Sequence, residues 1–337
     1  MITQSFPPPA SFTEHTLPNL TGKVYIVTGS SAGVGKELAR LLYSRNATVY
    51  IAARSAERAH AAISWIQNSH PSSTGTLHFL PLDLADLESI KTSAQSFLAR
   101  ETRLDVLFNN AGVMVPPQGS LTKQGLELQL GTNCVAPFLF TKLLTPMLIE
   151  TAAKSEAGSV RVVWVSSGAA QLLAPVGGVD MENLGYEREK GVNYKYAVSK
   201  GGNVLHALEY QRRYRDSGIV SIVSPTTTTH SSHHPTPSHS IPFLTRTQAL
   251  NPGNLKSDLQ RHITRLQSLM INWMLYPAVN GAYTELFAGL APEAASLKEG
   301  EWVVPFGRVL SLRKDFAGGK TAGEFWEWSE RQVERYA

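Results

Sequence analysis

The chain of 337 residues contains a single cysteine, Cys134, so it cannot form an internal disulfide. We therefore expect a reducing compartment, the cytoplasm. Basic runs are also missing: 31 Lys and Arg face 27 Asp and Glu, and the net charge of +4 gives no argument for a nucleic-acid partner. The sequence before Lys23 has no basic residue and no apolar core, so we expect no secretory signal there.

A long uninterrupted apolar run is absent as well. The longest charge-free stretch in the C-terminal part, Leu266–Thr284, contains Gln, Ser, Asn, Pro and Gly, which makes it a poor membrane span. Two interpretations stay open for Leu266–Thr284: a wall around a substrate, or a buried helix pair. Hydrophobic residues make up 42% of the chain and charged residues 17%, which is a globular composition.

The chain does contain apolar, β-rich runs that alternate with helical segments. Continuous apolar runs are typical of strands buried on both faces, and strand–helix repetition predicts a parallel sheet covered by helices. We therefore predict one doubly wound α/β domain (a Rossmann fold) over 21–310, an N-terminal extension over 1–20 and a C-terminal helical tail over 311–337. The predicted strands are 23–29, 48–54, 77–83, 104–112, 159–167 and 218–224.

The sequence VTGSSAGVGKELA lies between the first predicted strand and a helix. Its glycines, Gly29, Gly33 and Gly35, would let the backbone turn tightly and approach a pyrophosphate at the helix N-terminus. A Walker A loop does not fit, because Ser30 stands where its first glycine is needed and Glu37 follows the lysine. A glycine-rich turn without a ligand remains the alternative.

The end of the second predicted strand indicates which nicotinamide cofactor is bound. An NAD site usually has an acidic residue there, but this chain has Ala53 followed by Arg54. An arginine suits a 2′-phosphate, so we predict NADP(H). The alternative is that Arg54 is merely a solvated surface residue.

Two Tyr/Lys pairs have the four-residue spacing that places both side chains on one helix face. Tyr186 and Lys190 lie in GYEREKG, a charged stretch that we expect to be a surface loop. Tyr196 and Lys200 lie among small residues, which allow a cofactor and a neighbouring helix to approach. We favour the second pair, with Tyr196 as acid/base and Lys200 lowering its pKa from about 10.

Taken together, these motifs resemble the short-chain dehydrogenase/reductase family, from about residue 20 to about 305, and look most like its retinol-dehydrogenase and WW-domain-oxidoreductase branch. The resemblance implies that Asn133 holds a water, Ser167 hydrogen-bonds the substrate oxygen, and Lys200 also binds the nicotinamide ribose. It implies a cofactor site made of Gly29, Ser31, Gly33, Val34, Gly35, Arg54, Asp83, Asn110, Ala111, Gly112, Tyr196, Lys200, Pro252, Gly253 and Ser257.

The function predicted from these residues is hydride transfer between NADP(H) and a carbonyl or alcohol carbon of a small molecule. The apolar region 266–290 suggests a lipophilic one, such as a polyketide- or terpenoid-like secondary metabolite or a retinoid-like alcohol. The alternatives are a non-catalytic NADP-binding regulator and an inactive product. We expect a monomer or a homodimer without a membrane span. Cys134 is expected in the core, and Trp326 and Trp328 are expected to dock a C-terminal helix.

The segment 223–248 interrupts the fold pattern with a tract rich in Ser, Thr, His and Pro. Such a composition favours disorder, and a structureless insert of this length is uncommon in a compact domain. We predict no metal site in it, because its histidines lack ordered spacing: His230, His233, His234 and His239. Deleting Val223–Gln248 restores a normal join, so our hypothesis is a retained short intron; a real, disordered surface loop is the alternative.

Overall fold

The computed structural model describes residues 7–214, 245–250, 276–297, 300–317 and 319–337, with only the backbone given for 245–250. Its centre is an eight-stranded sheet in the order β3-β2-β1-β4-β5-β6-β7-β8, in which every neighbouring pair is parallel except β7 with β8. The strands are β1 (Val24–Thr28), β2 (Thr48–Ala53), β3 (Thr76–Pro81), β4 (Val106–Asn109), β5 (Val160–Val165), β6 (Thr245–Leu250), β7 (Glu301–Val304) and β8 (Arg308–Ser311).

Helices cover both faces of this sheet, as a doubly wound fold requires. The described helices are α1 (Gly33–Tyr43), α2 (Ala56–Ser69), α3 (Leu87–Leu98), α4 (Leu128–Ala152), α5 (Gly168–Leu172), α6 (Val192–Tyr214), α7 (Ala278–Leu290) and α8 (Lys320–Val333). The predicted fold class is confirmed, and the first five predicted strands match β1 to β5.

Two apolar layers hold the helices on the sheet. One layer buries Leu38 of α1 and Leu286 of α7, and the other buries Phe97 of α3, Phe138 of α4 and Trp164 of β5. Among the described residues, only α4 is long and apolar enough to cross a membrane, and 78% of its most apolar window is buried inside the protein. This burial is typical of a core helix.

The sixth strand differs in position from the sequence prediction. The predicted strand 218–224 lies outside the described residues, as do the four histidines of the low-complexity tract. The place beside β5 is taken by β6, which pairs Thr245 with Val160 and Leu250 with Val165. Four residues of β6 therefore come from the segment 223–248, where β-branched Thr245 and Thr247 favour an extended backbone.

Both terminal segments pack into the domain rather than extending from it. Leu17 and Leu20 are 2% and 4% exposed and join the layer around α1. At the other end, Trp326 of α8 is 3% exposed and meets the Phe138 ring edge-on at 4.7 Å. Trp328 stacks on Phe325 at 5.7 Å. The segments 1–20 and 311–337 thus contribute, where described, to the same core as 21–310.

Candidate active site

The turn between β1 and α1 is shaped to pass close to the segment that follows β4. A Cβ on Gly29 would lie 2.9 Å from Cα of Ala111, and one on Gly35 would lie 2.5 Å from Nδ2 of Asn110. Asn110 donates a 2.6 Å hydrogen bond to the carbonyl oxygen of Thr28. Because a side chain at either glycine would displace this segment, the two glycines are needed for the turn itself.

The N-terminus of α1 leaves its backbone N–H groups available. Gly33 has φ +57°, Ala32 at the N-cap has no capping side chain, and the first turn contains no acidic residue. Ser31 and Val34 are partly buried on the same turn. A turn of this kind fits the pyrophosphate of a dinucleotide, because its N–H groups and helix dipole favour an anion.

Two further predicted cofactor residues lie at the carboxyl ends of the neighbouring strands. Arg54 directly follows β2 and is exposed, whereas Ala53 is buried. Asp83 follows β3, is partly buried, and accepts a 3.0 Å hydrogen bond from the Ala85 N–H. Both residues therefore occupy the edge of the sheet where parallel α/β folds bind ligands.

Tyr196 lies in the first turns of α6 and is 8% exposed. Burial raises the pKa of its phenol to about 12, although a side-chain hydrogen bond with Ser167 opposes that rise. The effect of Lys200 on this phenol stays a prediction. The phenol therefore holds its proton at neutral pH.

The ammonium group of Lys200 is buried between strand β5 and the Tyr196 ring. Its Nζ donates a 3.0 Å hydrogen bond to the carbonyl oxygen of Val165 and lies 5.9 Å from the centre of the Tyr196 ring. Burial lowers the pKa of Lys200 to about 8, and the charges of Cys134 and Glu285 oppose this fall. The cation is thus weakened by its own desolvation.

The two serines after β5 have separate roles. Ser166 is buried and donates a 2.6 Å hydrogen bond to the carbonyl oxygen of Lys200, which ties β5 to α6. Ser167 is partly exposed and caps α5 by accepting a 3.2 Å hydrogen bond from the Ala169 N–H. Of the two, only Ser167 affects the pKa of the Tyr196 phenol, which it lowers.

Asn133 lies within a π-helical turn of α4, Gly131–Val135. Its Oδ1 accepts a 2.8 Å bond from the Val113 N–H, and its Nδ2 donates to the Val113 carbonyl at 3.0 Å and to Ser199 Oγ at 2.9 Å. A Cβ on Gly112 would lie 3.2 Å from Asn133 Oδ1 and 3.3 Å from Lys200 Nζ. The fold thus brings Asn133, Ser167, Tyr196 and Lys200 to one edge of the sheet.

This site can be compared with known proteins. A family model described as short chain dehydrogenase matches residues 23–179. A short-chain dehydrogenase/reductase of Phomopsis amygdali is 46% identical over 347 residues, covering 99% of this chain and 96% of that protein. The relative pkfC of Emericella nidulans is also 46% identical and covers 100% of both chains. The chain belongs to the short-chain dehydrogenase/reductase family.

Solved structures of the same architecture agree with this assignment. An uncharacterized protein from Mycobacterium paratuberculosis superposes with a TM-score of 0.67 at 26% identity, covering 96% of this chain and 97% of that chain. The Pseudomonas aeruginosa RhlG/NADP complex superposes with a TM-score of 0.59 at 21% identity, covering 84% and 96%. The second similarity concerns the fold alone. The family assignment makes the chain a member of an oxidoreductase family.

The competing Tyr/Lys pair is not assembled in this family member. Tyr186 is 7% exposed with φ +58°, so the expected surface loop is wrong for this residue. Burial raises the pKa of its phenol far above the usual range. Lys195, rather than Lys190, lies over its ring, at 4.9 Å, while Lys190 lies 5.4 Å from the Tyr194 ring. Cys134 is fully buried and its thiol donates to the Ser199 carbonyl, consistent with core packing.

Three predicted cofactor residues, Pro252, Gly253 and Ser257, lie outside the described residues. The sequence reasoning missed Gln129, which accepts from the Val115 N–H at 2.9 Å and donates to the Val192 carbonyl at 3.0 Å. This amide joins the segment after β4 to the start of α6. Its position four residues before Asn133, on the same helix face, was a signal for it.

Glu285 of α7 was also missed. Its carboxyl group is 0% exposed, and burial raises its pKa to about 8 while the charge of Lys200 opposes the rise. A single acidic residue inside an otherwise apolar helix was the signal, because such residues are seldom buried without a specific neighbour.

Proposed function

We propose that this chain is an NADP(H)-dependent oxidoreductase that transfers hydride between nicotinamide and a carbonyl or alcohol carbon of a lipophilic small molecule, such as a secondary metabolite. One observation carries the proposal: the buried phenol of Tyr196, whose pKa is influenced by Ser167, lies on the same helix as Lys200. The glycine cradle of Gly29 and Gly35 lies at the same edge of the sheet. A proton donor and a dinucleotide cradle together are what carbonyl reduction requires.

Bound NADPH would supply the hydride. In the reduction direction, Tyr196 Oη donates its proton to the substrate oxygen, and Ser167 Oγ hydrogen-bonds that oxygen and holds it near the phenol. The raised pKa of Tyr196 supports this direction, because the phenol is protonated at neutral pH and is ready to donate.

Lys200 would stabilise the phenolate and orient the cofactor, and Asn133 would hold a water that supplies protons. A cation near Tyr196 stabilises the phenolate left after proton donation, and the family resemblance adds a contact between Lys200 and the nicotinamide ribose. Both N–H groups of the Asn133 side chain are already bonded to Val113 and Ser199. A water between Lys200 and solvent would therefore be held by the Asn133 main-chain carbonyl, in the π-helical turn where the regular i to i−4 pattern is interrupted.

The preference for NADP(H) over NAD(H) rests on Arg54. This guanidinium is exposed at the end of β2, where an acidic residue would select the unphosphorylated ribose. Proteins of the same fold bind either nucleotide: RhlG forms a complex with NADP, and a Brucella melitensis 3-ketoacyl-(acyl-carrier-protein) reductase forms one with NADH. Arg54 can contact a 2′-phosphate with two N–H groups at once.

A lipophilic substrate is supported by the segment that follows Ser167. Leu172, Leu173 and Val176 are 53%, 58% and 86% exposed, which is unusual for three apolar side chains within five residues. We propose that they cover the apolar part of the substrate. The chain would act in the cytoplasm as a monomer or homodimer.

The test is NADPH oxidation, followed by absorbance, with a panel of lipophilic ketones and quinones. Tyr196→Phe should abolish turnover while leaving NADPH binding nearly intact, because only the phenolic hydroxyl group, the proton donor, is removed. Tyr194→Phe, on the same helix two residues earlier, is the matched control and should retain turnover. Substantial turnover by Tyr196→Phe would exclude Tyr196 as the proton donor.

A further inference from the structure

The loop of residues 168–178 follows Ser167 and carries the exposed apolar side chains that we propose contact the substrate. It begins directly after Ser167, forms α5, and then turns past Leu173 and Val176. A loop with three exposed apolar side chains gains little stability from its own burial. Contacts with other parts of the protein must therefore hold this loop against α6.

The side chain of Arg313, which follows β8, binds the backbone of this loop. Its Nη1 donates to the carbonyl oxygen of Ala174 at 3.0 Å and lies 3.3 Å and 3.4 Å from those of Gln171 and Ala170. Its Nη2 donates to the Pro175 carbonyl at 2.5 Å. The last carbonyls of a helix have no intrahelical partner, so the guanidinium satisfies groups that would otherwise need water.

Asp315 fixes the direction of this guanidinium. Its Oδ1 accepts from Arg313 Nε at 2.6 Å and its Oδ2 accepts from Nη2 at 2.9 Å, a two-point contact that fits the planar fork of arginine. The same Oδ2 accepts a 2.7 Å bond from the Gly177 N–H. Burial raises the pKa of Asp315, but the bonds from Arg313 and Gly177 outweigh it and leave the pKa below its usual value.

The far end of the loop is enclosed between the C-terminal segment and α6. A Cβ on Gly178 would lie 2.4 Å from the Phe316 ring, and a Cβ on Gly201 would lie 2.2 Å from the Gly178 carbonyl oxygen. The guanidinium carbon of Arg313 lies 4.7 Å from the centre of the Phe316 ring. Since Gly201 directly follows Lys200, the position of the loop is coupled to the catalytic helix.

We propose that Arg313, oriented by Asp315, is a positioning residue that holds the loop 168–178 against α6 and thereby determines how a lipophilic substrate is bound beside Ser167. The part concerning substrate rests on the proposed function, whereas the part concerning the loop does not. None of the described hydrogen bonds of Arg313 reaches the glycine turn between β1 and α1. Cofactor binding should therefore not depend on Arg313.

The first experiment is amide hydrogen exchange on the full chain, comparing Arg313→Gln and Arg313→Lys with the unchanged protein. We expect exchange in the loop 168–178 to be faster by about tenfold in both variants, because lysine keeps the charge but cannot form the fork. Peptides from β1 and α1 should be unchanged. Arg188→Gln is the control, since Arg188 is an exposed arginine with ion pairs no shorter than 3.8 Å. Unchanged exchange in the loop would overturn the proposal.

The second experiment measures steady-state kinetics with NADPH and 9,10-phenanthrenequinone as the probe. In both Arg313 variants the KM for the quinone should rise by about tenfold, while the KM for NADPH stays the same. An equal rise in both KM values would mean a general structural role and overturn the substrate part. If the unchanged protein reduces neither this quinone nor any carbonyl in the panel, the proposed function fails, and the exchange experiment still decides whether Arg313 positions the loop.

Discussion

The ammonium group of Lys200 donates a 3.0 Å hydrogen bond to the carbonyl oxygen of Val165, the last residue of β5. Asn203, one turn further along α6, donates to the same oxygen at 3.0 Å. Helix α6 is therefore fixed to β5, the strand that Ser166 and Ser167 follow. Lys200 combines this structural contact with a charge near Tyr196, and its replacement should affect both.

The first prediction concerns this charge. Lys200→Met should lower turnover by about 100-fold or more, because the phenolate formed at Tyr196 loses its neighbouring cation. Lys195→Met is the matched control: Lys195 is also buried on α6 but forms its ion pair with Glu189 at 2.6 Å. The measurement is kcat for both variants with the same carbonyl probe. Equal losses in the two variants would contradict a specific role of Lys200.

The second prediction concerns the glycine cradle. Gly35→Ala should weaken NADPH binding by more than about tenfold, since the new Cβ would lie 2.5 Å from Asn110 Nδ2 and displace the wall of the site. Gly191→Ala is the control, because within the described part of the chain no atom beyond its two sequence neighbours lies within 4 Å of a Cβ at that position. Titration calorimetry with NADPH gives both dissociation constants. Unimpaired binding in Gly35→Ala would remove this turn from the cofactor site.

The third prediction concerns stability in acid. His206 is fully buried, its Nε2 lies 2.9 Å from Ser329 Oγ, and burial lowers its pKa from 6.5 to about 3. Between pH 6.5 and about 3, the imidazole is neutral in the native protein but protonated in the unfolded chain. The free energy of unfolding should therefore fall as the pH drops from 6.5 towards 3, by at most about 1.4 kcal/mol per pH unit.

Urea unfolding between pH 4 and pH 7 measures this dependence. His206→Gln should make the slope shallower, because Gln can keep a bond with Ser329 but cannot gain a proton. The exposed His15, changed to Gln in the same way, is the control and should leave the slope as it is. An identical slope in His206→Gln would show that other groups cause the acid sensitivity.

The parts of the site that the sequence predicts are those that depend on nearby residues. Three such local patterns are the Tyr196/Lys200 spacing, the glycine turn and the apolar strands. The fold brings them together because the carboxyl ends of parallel strands lie at the same edge of a sheet. The contact of Arg313 with the loop could not be found this way, because the groups it binds there are main-chain carbonyls about 140 residues earlier, which leave no side-chain signature. Tyr186 was misplaced because its charged neighbours Glu187 and Arg188 are exposed while the ring itself turns inward at φ +58°.

The fourth prediction concerns the segment 223–248. In the structure β6 has the sequence TRTQAL, which is polar for a strand that lies between two others. Deleting 223–248 would join Ile222 to Ala249 and supply IVSIAL, of the same length and more apolar. We therefore propose that the mature transcript lacks this segment. Sequencing the transcript tests the proposal, and reads that retain the segment as the dominant form would contradict it.

The central claim, that the chain binds NADP(H) for its chemistry, is tested most directly by thermal unfolding with NADPH and with NADH. At about 100 times its dissociation constant, NADPH should stabilise the fold by about 2.7 kcal/mol, which is several degrees for a domain of this size. NADH should give a much smaller shift, and Arg54→Gln should reduce the difference between the two. No shift with either nucleotide in the folded chain would contradict the account.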